Sequence, residues 1–241
     1  MDANILLMAA TAPEADPIAA RMNGVRSETH VGKAVLEGVL DGQVCRVVVS
    51  GIGPVNAAQA LTRELEAHRP ALVLQLGIAG AYVPAGIGVG AVVCATEEIY
   101  GDLGVLTPDG WRPVEETGFP TVPGDPPLYN RFTLAPGLVA RASEAAAATT
   151  GPFVTASQCT GVRTVGDALH ARTGAVCENM EGAAAAHVCA LYGVPFLEVR
   201  AISNLIEDRD RSKWKIAEAL AALCVAVCSI VRGIDDIMED D

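Results

Sequence analysis

The hydrophobic residues fall into short continuous runs separated by polar, glycine-rich breaks. Residues 4–10 form an apolar run that reads as a buried strand. Residues 45–50 (CRVVVS) read as a second, β-branched and closed by Gly51-Ile52-Gly53-Pro54. Residues 71–75 predict another strand, closed by Gly77-Ile78-Ala79-Gly80, and residues 91–97 one more. Residues 152–158, 175–177 and 195–202 read as further strands. Elsewhere the spacing changes to that of a helix. Residues 56–68 place Ala57, Ala60, Leu61 and Leu65 on one face, residues 138–149 are Ala-rich, and residues 181–192 run to a stop at Gly193. Residues 214–234 make a long closing helix, and the acids of residues 235–241 a solvated tail.

Strands and helices largely alternate, and several strands are apolar on both faces. This predicts an α/β fold: one three-layer domain over residues 1–241, a central sheet covered by helices on both faces. Residues 100–131, rich in Pro, Gly and Asp, form a long excursion from it. Ligands in such folds bind at the C-terminal ends of the strands. The exits at residues 10–14, 50–53, 77–80, 178–181 and 200–204 therefore carry the candidate chemistry.

Charge and composition narrow the partners. The 241 residues hold 17 Lys+Arg against 29 Asp+Glu, a net charge of −12, which argues against nucleic acid or an anionic membrane as the main partner. An apolar fraction of 51% excludes intrinsic disorder. The uncharged run 219–231 is too short to cross a bilayer, and the run 71–96 is broken by Pro84 and several glycines. No basic segment opens the chain as a signal peptide would. The seven Cys include no CxxC pair and read as small buried hydrophobes in a reducing cytoplasm. The four scattered His offer no metal site.

The two glycine pairs permit tight turns or close backbone approach to a ligand, and their spacing alone does not choose between these. Neither completes a GxGxxG fingerprint. Glu14 and Glu181 each sit at a helix start, where the macrodipole alone favours an acid. Arg200 is harder to account for. It lies inside an apolar strand, where a charge needs a carboxylate or a ligand. Ser203 and Asn204, at the end of that strand, suit a turn.

In order along the chain, Ser50-Gly-Ile-Gly-Pro-Val-Asn-Ala-Ala58, Leu76-Gly-Ile-Ala-Gly80, Glu178-Asn-Met-Glu-Gly-Ala-Ala-Ala-Ala186 and Val194-Pro-Phe-Leu-Glu-Val-Arg-Ala-Ile-Ser-Asn204 resemble the nucleoside phosphorylase/nucleosidase superfamily. The resemblance is strongest to the nucleosidases of methylthioadenosine and S-adenosylhomocysteine. Two departures sharpen it. Those enzymes carry Asp where Asn204 stands, and residues 104–111 and 209–214 look like the futalosine hydrolase branch of menaquinone synthesis.

The resemblance implies a three-layer nucleosidase fold with a mixed central sheet, an N-glycosidase of the cytoplasm, no cofactor, and a homo-oligomer (dimer or tetramer) whose neighbouring subunit closes the 5′ pocket. It casts Glu14 as the base that activates water, Arg200 as its orienting partner and Asn204 as the group facing the leaving base. Glu181 would hold the ribose hydroxyls and Met180 pack under the sugar. Ile78, Ala79, Gly80 and Ser203 would bind the substrate, and the backbone around Gly161 and Val162 would meet the base. Trp214 and Tyr100 are expected to wall a slot for an aromatic 5′ substituent, with Trp214 equally suited to anchoring the closing helix, and Trp111 the next aromatic to examine. Arg112, Arg131, Arg209 or Lys213 would meet the substituent's carboxylate. The alternatives are a methylthioadenosine/S-adenosylhomocysteine or aminofutalosine nucleosidase, a purine nucleoside phosphorylase, and a non-catalytic nucleoside-binding module.

Overall fold

The computed structural model describes residues 4–239. Its strands are β1 (Ile5–Ala9), β2 (Asn23–His30), β3 (Lys33–Leu40), β4 (Gln43–Val49), β5 (Leu72–Tyr82), β6 (Val92–Tyr100), β7 (Gly104–Thr107), β8 (Gly110–Pro113), β9 (Arg131–Thr133), β10 (Thr149–Thr155), β11 (Cys177–Asn179) and β12 (Phe196–Ile206). Its α-helices are α1 (Ala12–Ala19), α2 (Pro54–Ala67), α3 (Pro136–Ala145), α4 (Arg163–Thr173), α5 (Gly182–Tyr192), α6 (Ile216–Arg232) and α7 (Ile234–Met238).

The main sheet is mixed and runs β11-β10-β6-β12-β5-β1-β4-β3-β2, with β9 added beside β6. The central strands β1, β4, β5 and β12 are parallel. β11 pairs with β10 on one side and, antiparallel, with β5 on the other, so β11, β10, β6, β12 and β5 close into a ring. That closure draws the exits of distant strands toward one point. Helices α1, α3, α6 and α7 pack as one layer and α2 with α5 as the other. Most of the core is aliphatic, Ala included, which lets the layers approach closely.

Several expectations need correction. Gly77-Ile-Ala-Gly80 does not end a strand. β5 continues through it to Tyr82, and β12 likewise runs through Ser203 and Asn204. The glycines serve packing across the sheet, because Arg200 is registered opposite Gly77. A Cβ on Gly77 would lie 2.4 Å from Arg200 Nη1 and 2.7 Å from Glu14 Oε1. β2 and β3 left no clear signal, since β2 is exposed almost throughout and carries no apolar face. Helix α4 was hidden for the same reason, burying only Gly166 and Thr173. The excursion contains a β7–β8 hairpin. The acidic tail folds in part as α7, which buries Ile234 and Ile237; Asp240 and Asp241 lie outside the described residues, as do Met1–Ala3 of the N-terminal reading. Six of the cysteines are buried, and Cys159 is exposed.

Candidate active site

Glu14 stands in the first turn of α1, directly after β1. Thr11 donates to Glu14 Oε2 from its amide at 2.9 Å and its hydroxyl at 2.8 Å, part of the capping box that starts the helix. The other oxygen, Oε1, accepts from the Ile78 amide at 3.0 Å. The helix-start role therefore holds, and it aims a buried carboxylate at β5.

Arg200 is 1% exposed. Its Nε donates to Glu198 Oε1 at 2.7 Å and its Nη2 to Glu181 Oε2 at 3.3 Å. Its Nη1 donates to the Ile78 carbonyl at 3.3 Å. Burial opposes the guanidinium charge, but the carboxylates of Glu198, Glu181 and Glu14 more than offset it and raise the pKa. The carboxylate that the sequence reading demanded for Arg200 is thus two residues back on the same strand face.

Glu181 is the N-cap of α5, one position before the first helical residue. Asn179 Oδ1 accepts the amides of Glu181 and Gly182 at 2.9 and 2.8 Å and so does the capping work. The Glu181 side chain is released from that duty and reaches across to the Gly53 amide at 3.0 Å. Gly51 and Gly53 have φ of 88° and 94°, so the loop after β4 needs glycine both to turn and to present that amide. Met180 is half-buried beside Glu181, with Cys159 Sγ 3.3 Å from its sulfur.

Asn204 owes its placement to a bulge. The β5–β12 register shifts between Ile202 and Asn204, leaving Ser203 as the extra residue. Ser203 Oγ donates to Asn204 Oδ1 at 2.8 Å, and Asn204 Nδ2 donates to the Leu205 carbonyl at 3.2 Å. Ser203 Oγ also lies 3.3 Å from the Ala79 carbonyl, and Gly80 is close enough that a Cβ there would stand 3.1 Å from Asn204 Nδ2. Beside Asn204 a small cavity of about 20 Å³ is lined by Thr160, Arg209 and Trp214 among others.

Gly161 and Val162 lie between β10 and α4. Their loop is tethered by Glu178, which accepts from the Thr160 amide at 2.7 Å and from the Thr160 hydroxyl. Burial pushes the Glu178 carboxyl up, and the Thr160 donors work against that shift. A larger cavity of about 750 Å³ opens beyond, lined by Leu106, Trp111, Val162, Val165, Leu169 and Arg172 among others. The Arg172 guanidinium sits 3.7 Å over the Trp111 ring.

Trp214 lies next to Asn204, under Arg209 at 4.9 Å. Tyr100 does not share that wall. Its ring packs edge-on against Phe132 at 5.8 Å, with its hydroxyl 3.3 Å from His187 Nδ1. Of the four candidate cations, Arg112 faces Glu116, Arg131 pairs with Glu97 and Lys213 with Glu207, whereas Arg209 has no carboxylate within ion-pair distance among the described residues. Sequence reasoning missed Asn179, Glu178, Glu98 and the partnership of Glu198. Glu198 left a signal as the other charge in an apolar strand two residues from Arg200, and Glu178 and Asn179 stand in the 178–181 exit, whereas Glu98 left none.

A family model of the phosphorylase superfamily matches residues 4–232. The chain belongs to the phosphorylase superfamily. Among superfamily relatives it is 38% identical to the futalosine hydrolase of Streptomyces coelicolor over 230 residues, which cover 93% of each chain. It is 32% identical to the 5′-methylthioadenosine/S-adenosylhomocysteine nucleosidase of Geobacillus kaustophilus, covering 88% of this chain and 91% of that one. The solved futalosine hydrolase of Helicobacter pylori superposes with a TM-score of 0.81 over 95% of this chain and 97% of its own. At 21% identity that likeness shows the shared fold. The protein is a nucleosidase-type enzyme of this superfamily.

Proposed function

We propose that the protein hydrolyses the N-ribosidic bond of futalosine, releasing hypoxanthine and dehypoxanthinylfutalosine as a cytoplasmic step of menaquinone synthesis. The observation that carries the base assignment is the amide of Asn204. Ser203 occupies Oδ1, and one proton of Nδ2 goes to Leu205. The second Nδ2 proton is left to donate to a 6-oxo group or to N7. An ionised Asp could only accept, which suits a 6-amino base.

Cleavage builds an oxocarbenium-like sugar and an anionic base. In this reading Glu181 accepts hydrogen bonds from the 2′- and 3′-hydroxyls and its charge favours the developing cation. Met180 packs beneath the ribose. Glu14 takes the proton of the attacking water as general base. Arg200 orients both carboxylates' surroundings through Ile78 and Glu181. The backbone of Ile78–Gly80 and of Gly161–Val162 borders the base, and Trp214 with Arg209 meets the 5′ arm, because Arg209 is the candidate cation without a carboxylate partner among the described residues. Assembly as a homo-oligomer belongs to the same reading.

Water rather than phosphate as nucleophile follows from Glu14 and from the absence of Lys or Arg in residues 10–14. The test is the initial rate on futalosine with and without added phosphate. Equal rates, with a sugar product carrying a free anomeric hydroxyl and no phosphate, support hydrolysis; strict phosphate dependence refutes it.

A further inference from the structure

Behind Arg200 lies a pair of acids that the reaction described above leaves unused. Glu98 on β6 and Glu198 on β12 are both fully buried, and their carboxyl groups are in hydrogen-bond contact. Gly182, the first residue of α5, makes room for them. A Cβ there would stand 2.1 Å from Glu98 Oε1 and 2.2 Å from Glu198 Oε2.

The donors around this pair leave one gap. Glu98 Oε1 accepts from Asn179 Nδ2 at 2.6 Å. Glu98 Oε2 lies 2.8 Å from the Thr155 hydroxyl. That hydroxyl is also 2.8 Å from Asn179 Oδ1, but Asn179 Oδ1 already receives two backbone amides, so the single Thr155 proton goes to Glu98. Glu198 Oε1 takes Arg200 Nε. Glu198 Oε2 is buried and receives no N–H or hydroxyl donor among the described residues. An acceptor so placed needs a proton, and the group touching it is the Glu98 carboxyl. Charge points the same way. Glu198, Glu181 and Glu14 already share the one guanidinium of Arg200. A fourth ionised carboxylate, fully buried among them, would stand uncompensated.

We propose that Glu98 is held as a neutral carboxylic acid, that it donates its proton to Glu198 Oε2, and that this acid–carboxylate pair fixes Arg200 and, through it, Glu181. Glu98 is then a positioning residue. It acts from β6 on a guanidinium carried by β12, and Asn179 ties it to the start of α5 by holding Glu98 with its amide and Glu181 with its oxygen. The other titratable or charged groups that feel the pair are Arg200, Glu181, Cys177 and Tyr100. The inference rests on the reading of Arg200 and Glu181 as the sugar end of the site, and it does not depend on which base is released.

Two measurements test it. Infrared spectra of the wild type at neutral pH should show the carbonyl stretch of a protonated carboxylic acid, and Glu98→Gln should lose it. Turnover is read on whichever nucleoside the wild type cleaves best. Glu98→Leu should lower kcat about 100-fold, the scale of a small misplacement of catalytic groups. Glu98→Gln, whose amide still donates to Glu198, should recover to within about tenfold of wild type. Gly182→Ala, which leaves both acids present but crowds them, should lower kcat and serves if Glu98→Leu does not fold. Absence of the carboxylic band, or a Glu98→Gln variant as impaired as Glu98→Leu, overturns the proposal. A wild type that shows the band yet cleaves no nucleoside overturns the functional reading instead.

Discussion

Glu14 and Arg200 grip opposite ends of one residue: the Ile78 amide donates to Glu14 Oε1 at 3.0 Å, and the Ile78 carbonyl accepts from Arg200 Nη1 at 3.3 Å. The preceding Gly77 lets both side chains close on that backbone, since a Cβ there would lie 2.4 Å from Nη1 and 2.7 Å from Oε1. Gly77→Ala should therefore displace two groups at once. We expect a kcat loss of about 100-fold with a smaller effect on thermal unfolding. Unchanged kcat would show that the two ends move freely.

Glu14→Gln keeps the size of the side chain and removes the base. General-base removal commonly costs about 10² to 10⁴ in rate. The expected result is a kcat loss in that range with little change in KM and an unchanged circular dichroism spectrum. Activity near wild type would take the base role away from Glu14.

Asn204→Asp replaces a donor by an acceptor at the base. The variant should shift its kcat/KM ratio toward a 6-amino base over a 6-oxo base, measured with futalosine and its 6-amino analogue. A wild type that already prefers the amino compound would contradict the base argument.

A stability measurement addresses Glu98. Burial, together with the neighbouring Glu198 charge, holds its carboxyl well above the ordinary value of 4.5. The folded state then keeps a proton that the unfolded chain releases above that ordinary value. The contribution to stability is full below it and is lost as pH rises toward the folded value. Gln does not titrate. Glu98→Gln should gain on wild type by about 1.4 kcal/mol per pH unit across that window. Urea unfolding at about pH 5 and about pH 7 reads the difference; a pH-independent gap would contradict it.

Much of this arrangement is legible in the sequence. The apolar runs announce β1, β4, β5, β6 and β12, because strands buried on both faces need no alternation. Arg200 in such a strand demands a partner, and Glu198 stands two residues away. Other parts are not legible for physical reasons. The exposed β2 and the shallow α4 carry no hydrophobic period. The β5 glycines resemble a loop because their spacing answers to side chains arriving from α1 and β12, which lie far off in the chain. Glu98 meets its partners only after the ring of strands closes, so no local motif announces it; Glu178 and Asn179 stand in a motif the sequence does show, but their bonds to Thr160 and Glu98 are long-range and their roles are not readable from it.

The central claim is most directly tested by incubating the protein with futalosine and with methylthioadenosine in parallel and identifying the products. The expected result is rapid release of hypoxanthine from futalosine and little adenine from methylthioadenosine. Faster release of adenine, with futalosine left intact, would contradict it.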